Sequence, residues 1–233
     1  MAFIRPYRYS DFDACAHICI ATLPPTLAAS PAAAQLSPYI WTHPYTFLSP
    51  STCHVLDDGT GKAVGYCIGC PDVHAFVANY RRYITELLSH YVSEPDFSIR
   101  APWVVSKSAI NADEAQKQNL PDMIANPLAL VQNAYRADWV LLQGKEAVTA
   151  RWRATMHIDL LPDYQKLGWG RKLIDCFVAS VRSSGQNYGE GEHIGVAGEN
   201  SKVVPFYERM GFRVIEGGER EGNIWMVRDI EKV

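Results

Sequence analysis

The segment Gln165–Lys166–Leu167–Gly168–Trp169–Gly170 holds the residue types and spacing best suited to chemistry in this sequence. Its two glycines let the backbone approach a ligand closely and adopt torsions closed to other residues. A strand pattern precedes the segment and a helix pattern comes after it. A helix beginning near Gly168 has unpaired N–H groups in its first turn, and its dipole favours an anion such as a pyrophosphate. Arg171 and Lys172 add positive charge beside that turn. Two other phosphate loops are excluded. A P-loop needs Gly-Lys followed by Ser or Thr, which Gly170–Arg171–Lys172–Leu173 does not supply. A dinucleotide fingerprint needs a third glycine where this chain has Leu173. For a bare pair of glycines, a tight turn with no ligand is the competing reading.

Among other reactive side chains, Asp159 interrupts an apolar strand end. Strand alternation puts His157 on the same face, so the two could relay a proton through water. An exposed strand residue or a structural salt bridge is the equal alternative for Asp159. The six cysteines are too sparse for a disulfide scaffold. Cys15 with Cys19 and Cys67 with Cys70 could together suggest a zinc site. An uninterrupted strand points Cys67 and Cys70 to opposite faces, so buried free thiols are the preferred reading and no metal is assigned. His54, His74, Trp103 and Trp152 are read as packing or surface residues.

The elements that must position these groups are clearest in the C-terminal third. Ala154–Leu161 reads as a strand, Gly168–Ser183 as a helix and His193–Gly198 as a strand. Ser201–Met210 reads as a helix stopped by Gly211. Phe212–Glu216 and Ile224–Asp229 form a closing hairpin across Gly217–Gly222. Near the N-terminus, residues 3–8 read as a strand, followed by a helix that a Ser10–Asp13 box caps and Pro24–Pro25 stops. Its face carries Cys15, Ile18, Cys19 and Thr22. Residues 24–50 are rich in Pro, Ala and Ser, with a helix expected over Ala32–Tyr39. Thr52–Leu56 and Ala63–Cys70 read as a hairpin. Val73–Tyr91 shows helical periodicity, and Pro95, Pro102, Pro121 and Pro127 break the next stretch into short pieces. The expected architecture is α/β (α+β): a mixed central sheet with flanking helices, in one domain carrying an ordered insertion at about 72–150.

Gln165-x-x-Gly168-x-Gly170 resembles the acetyl-CoA motif of the Gcn5-related (GNAT) N-acetyltransferase family. Asn200-x-x-Val203-x-x-Phe206–Tyr207–Glu208–Arg209–Met210–Gly211–Phe212 resembles that family's second cofactor motif, with Val203 standing where Ala is usual. The resemblance covers roughly residues 3–23, 52–72 and 151–230. Within the family, the chain looks closest to the acetyltransferase-like C-terminal domain of O-GlcNAcase enzymes. Arg5–Pro6–Tyr7–Arg8, Gly65–Tyr66–Cys67–Ile68–Gly69 with Asp72–Val73, and His157–Ile158–Asp159 carry that likeness.

The resemblance implies direct acetyl transfer from acetyl-CoA to a primary amine. It assigns cofactor binding to Gln165, Lys166, Leu167, Gly168, Trp169, Gly170, Arg171 and Lys172. Backbone contacts to the pantetheine arm fall to Leu160 and Leu161, where two strands splay. Tyr207 matches the position that protonates the departing sulfur while touching the cofactor. Asn200 is expected to cap the helix after it and could reach the cofactor. Asp159 is the first candidate base; His157 and Asp72 are candidates for acceptor binding. The alternative is a catalytically silent module that binds acetyl-CoA or a protein partner, and a weaker one is a zinc-stabilised adaptor. The acceptor, a small molecule or protein lysine, is not legible.

Composition agrees with an ordinary globular protein: 48% of residues are hydrophobic and 20% charged. A net charge of −3 gives no electrostatic footprint for nucleic acid. No run approaches the roughly 18 apolar residues that span a bilayer, and no signal peptide is evident. A cytoplasmic or nuclear protein is expected.

Overall fold

Alternating apolar residues at both ends of the chain build one twisted layer, and the helices cover its two faces. The computed structural model describes residues 1–110, 113, 117, 118, 120–219 and 222–232. In chain order the strands are β1 (Phe3–Pro6), β2 (His54–Asp57), β3 (Ala63–Cys70), β4 (Val104–Ser106), β5 (Met123–Ala125), β6 (Ala154–Leu160), β7 (Gly191–Ala197), β8 (Arg213–Ile215) and β9 (Asn223–Asp229). The helices are α1 (Phe12–Ala21), α2 (Pro25–Ala28), α3 (Pro31–Trp41), α4 (His43–Leu48), α5 (Val73–Ala78), α6 (Tyr80–Glu86), α7 (Pro127–Tyr135), α8 (Ala137–Leu141), α9 (Glu146–Arg151), α10 (Trp169–Ser183) and α11 (Val204–Glu208).

Seven strands form a mixed sheet in the order β1-β2-β3-β6-β7-β9-β8, and β4 with β5 form a separate hairpin. Every neighbouring pair in the large sheet is antiparallel except β6 with β7. Helix α10 makes the crossover between those two parallel strands. Its apolar stripe, Leu173, Ile174, Phe177 and Val181, is buried against Ala154 and Met156 of β6. The opposite face of the sheet meets α1, whose Cys15 and Ile18 pack with Tyr66, Ile68 and Cys70 of β3. Cys67 faces the α10 side and Cys70 the α1 side, as strand alternation requires.

The helix after β1 starts differently from the expected Ser10–Asp13 box. Asp11 accepts the Arg8 amide at 2.8 Å and two bonds from the Arg5 guanidinium at 2.7 and 2.8 Å. Arg5 also donates to Asp57 at 2.7 Å, so one buried cation ties β1, β2 and the entry to α1. A charge-assisted fork outcompetes a serine hydroxyl for this corner. The expected helix at Ala32–Tyr39 lies inside α3, flanked by two shorter helices.

The periodicity over 73–91 resolves into α5 and α6, broken at Asn79, and a short 3-10 turn at Leu88–His90. Buried tyrosines anchor this region. Tyr80 Oη donates to the Ala134 carbonyl at 2.9 Å, and Tyr83 Oη to the Tyr39 carbonyl at 3.0 Å. Near the C-terminus, the continuous helix expected over Ser201–Met210 is instead 3-10 turns at Gly198–Val203 followed by α11. Pro205 lacks the N–H that would bond the Ser201 carbonyl, so a regular helix cannot begin at Ser201. Among the described residues, no helix is long and apolar enough to cross a membrane.

Candidate functional site

The parallel strands β6 and β7 pair only at Ala154↔Glu192 and Thr155↔His193. Beyond that they diverge, although β6 stays bonded to β3 through Gly65↔Leu160 and β7 stays bonded to β9 through Ala197↔Asn223. Each therefore has one satisfied edge and one open edge facing a wedge in the sheet. The Leu161 amide donates to the Val64 carbonyl at 3.0 Å, which turns that residue's amide toward β3. Alternation along the strand turns the N–H groups of Leu160 and Ile158 toward the wedge. Of the two residues expected to supply backbone contacts, one has its amide engaged within the sheet. Leu160 offers an amide, and Leu161 has already spent its own.

At the mouth of the wedge, the chain passes a 3-10 turn (Pro162–Tyr164) into the glycine loop. The Gln165 side chain folds back and donates to the Leu160 carbonyl at 2.8 Å, pinning the loop to the end of β6. Lys166 has φ +60, a left-handed torsion uncommon outside glycine, and Gly168 comes next at φ +82 as the N-cap of α10. This winding turns the backbone so that the amides of Lys166 through Arg171 have no protein acceptor among the described residues. The space beside Gly168 is open. A Cβ there would meet nothing within 4 Å.

Gly170 has a different reason to be glycine. A Cβ would stand 2.9 Å from Phe206 Cζ, so this position admits the α11 ring rather than a ligand. The exposed cations are partly engaged: Lys172 Nζ lies 4.4 Å from the Trp169 ring centre, and Arg171 reaches the Arg209 carbonyl at 3.4 Å. Leu167 is exposed at the loop tip.

Deeper in, Asp159 and His157 share the α1 face of β6, as alternation demands. Tyr66 is the register partner of Asp159 on β3, and its hydroxyl donates to Asp159 Oδ2 at 2.7 Å. Burial raises the Asp159 pKa above the ordinary carboxylate range, and the Tyr66 bond pulls it partly back. The His157 ring packs edge-on against Tyr45 at 5.2 Å, and burial lowers its pKa to about 4. It is therefore neutral near pH 7 and a weak base.

Tyr207 sits on α11 with its ring edge-to-face against Phe206 and Phe212, at 5.2 and 5.5 Å. Its hydroxyl has no hydrogen bond among the described residues. Burial first, and then the nearby Asp159 charge, hold its pKa well above the ordinary phenol value. Tyr207 thus stays protonated over the whole working range of an enzyme.

Two sequence expectations change. Asn200 does not cap α11: it lies inside the preceding 3-10 turns at φ −106, ψ 21, and the cap position belongs to Val203. Asp72 caps α5, accepting the amides of His74 at 2.9 Å and Ala75 at 3.4 Å, and binds the Arg153 guanidinium at 2.8 Å. It also stands past Cys70, beyond the end of β3 remote from Tyr66, roughly 20 Å along the strand at ~3.3 Å per residue. The topology keeps it away from Asp159. Tyr66 is a neighbour of Asp159 that sequence reasoning misses, because only pairing of β3 with β6 brings it opposite that residue. Its one signal is a single aromatic in a strand of small residues.

No family model matches this chain. Among solved structures it is similar to one described as SsHAT, at 27% identity over 99% of both chains with a TM-score of 0.72. It is also similar in fold to PH1933 from Pyrococcus horikoshii OT3, at 10% identity, 99% of both chains and a TM-score of 0.53. A chain of the NatC complex bound to Gag peptide and CoA matches at 11% identity, 99% of both chains and a TM-score of 0.50. The last two likenesses speak for the fold alone.

Proposed function

Since this chain has the fold of the GNAT N-acetyltransferases, we propose that it moves an acetyl group from acetyl-CoA to a primary amine by direct transfer. The observation that carries this reading is the run of acceptor-free amides from Lys166 to Arg171, set at the mouth of a wedge between two parallel strands. A diphosphate fits such a run, because each N–H can donate and the dipole of α10 adds partial positive charge. An extended amide-bearing arm fits the open edges of β6 and β7, in the manner of an added strand.

Bound in that way, acetyl-CoA supplies an activated thioester. The residues of this chain do the rest. The Leu160 amide, aimed into the wedge, donates to the carbonyl oxygen as negative charge builds on it. Asp159 takes the proton that an ammonium acceptor must lose before its nitrogen can attack. Tyr207 gives its phenolic proton to the sulfur as the carbon–sulfur bond breaks, and the second proton leaving the nitrogen restores the phenol. The raised Asp159 pKa suits a base, and the raised Tyr207 pKa keeps the acid loaded. The finer likeness to the O-GlcNAcase-associated domain rests on its short sequence segments. Arg171 and Lys172 supply long-range attraction for the nucleotide end rather than fixed contacts.

A thiol-release assay with acetyl-CoA over a panel of small amines and lysine peptides tests the proposal. Turnover of at least one acceptor, confirmed by mass spectrometry of the acetylated product, is expected. Stoichiometric acetyl-CoA binding without transfer to any of them would instead identify a silent binding module.

A further inference from the structure

Asp159 is half-buried, and a carboxylate that serves as a base must present one oxygen to its substrate while the protein holds the other. Tyr66 is placed to do the holding. It lies directly opposite Asp159 in the β3–β6 register, is 1% exposed, and donates to Oδ2 at 2.7 Å. The hydroxyl of Thr22, the residue that caps the end of α1, is a second and weaker partner of Asp159 and is also within 2.8 Å of the Ile18 carbonyl. Of the two, Tyr66 makes the 2.7 Å bond and has the larger effect on the charged form of this carboxylate. Behind it, the buried Thr42 hydroxyl and the Cys19 thiol lie near the phenol.

We propose that Tyr66 is a positioning residue for acetyl transfer, clamping Asp159 Oδ2 so that Oδ1 faces the acceptor amine. This rests on the reading of Asp159 as the base. The clamp has two consequences. It fixes the carboxylate plane, so the incoming ammonium meets a lone pair instead of a rotating group. It also stabilises the charged form, offsetting part of the rise in pKa that burial causes. The titratable groups around Asp159 are Tyr66 from β3, Cys19 from α1, Tyr207 from α11 and His157 from β6 itself. Burial raises the first three above their ordinary values and keeps His157 neutral down to about 4, so all four are uncharged between pH 5 and 9. The Asp159 titration is then the one that a Tyr66 change would move.

Tyr66→Phe keeps the ring in the core and removes the donor. The pH profile of kcat should shift its acidic limb upward by about one unit, the loss expected for a buried hydrogen bond to a charged acceptor. Isotope-edited NMR of the Asp159 carboxyl, in the protein without substrate, should show the same upward shift. A Tyr66→Phe carboxyl that titrates where the wild type does overturns the clamp. Asp159→Asn is the separate control. If it keeps the acidic limb and full turnover, the base assignment falls, whatever the Tyr66 titration shows.

Discussion

Tyr207 is the residue whose chemistry is most exposed to test. Its phenol has no protein partner among the described residues, yet its ring is held by Phe206 and Phe212. Tyr207→Phe preserves both ring contacts and deletes the acid. Turnover should fall by roughly 10²–10⁴-fold, the usual scale of a lost general acid. CoA affinity should change less than about threefold, because the pyrophosphate contacts lie elsewhere. Steady-state kinetics with calorimetry of CoA binding separates the two effects. Asp72→Asn should behave in the opposite manner. It removes the negative charge that Arg153 pairs with, while the amide oxygen can still accept the His74 N–H at the start of α5. The melting temperature should fall, with a cost of about 1–2 kcal/mol for a pair whose arginine is partly exposed and whose replacement still accepts hydrogen bonds. CoA affinity measured below the transition should stay within about twofold.

At the scale of elements, the turn from β6 into α10 separates two roles for glycine. Gly168 needs a left-handed torsion with open space beside it, whereas Gly170 needs room for Phe206. Asparagine tolerates the left-handed region and β-branched residues do not. Gly168→Asn should therefore keep CoA affinity within a few-fold, and Gly168→Val should lose about tenfold or more. Gly170→Ala should lower stability by about 1–3 kcal/mol through overpacking against α11. Calorimetric titration and thermal melts read these three variants. The loop is legible in the sequence because its signal is local: two glycines between a strand and a helix. The reason for Gly170 is not legible, since Phe206 arrives from a distant helix. Nor is the clamp on Asp159, which depends on strand register. Asn200 resembles a cap in the sequence, but Pro205 governs where α11 can begin.

For the whole molecule, the strands and the long helix of the C-terminal third survive with shifts of one or two residues, whereas the helix expected over Ser201–Met210 shrinks to α11. The large departures fall where tertiary contacts decide, at the Arg5–Asp11–Asp57 corner and in α2 to α4. Acid stability is also a property of the whole fold. Burial lowers the pKa from an ordinary 6.5 to about 3 for His43 and about 4 for His157 and His193. Each folded value lies below its unfolded one, so the unfolded chain binds more protons. The stability these rings contribute is complete above about pH 6.5 and is lost as pH falls toward 4. The slope should approach about 1.4 kcal/mol per pH unit for each ring. Urea melts between pH 7.5 and 4.5 should show a midpoint that drops steadily, and a flat midpoint would refute the buried-neutral assignment.

The functional reading rests on the amides from Lys166 to Arg171 gripping a diphosphate. Calorimetric titration of the wild-type chain with CoA, alongside pantetheine lacking the nucleotide and its phosphates, isolates that grip. One CoA per chain should bind, with pantetheine weaker by at least about a hundredfold. Equal affinity for the two, or no heat with CoA at millimolar concentration, would show that these amides hold no diphosphate.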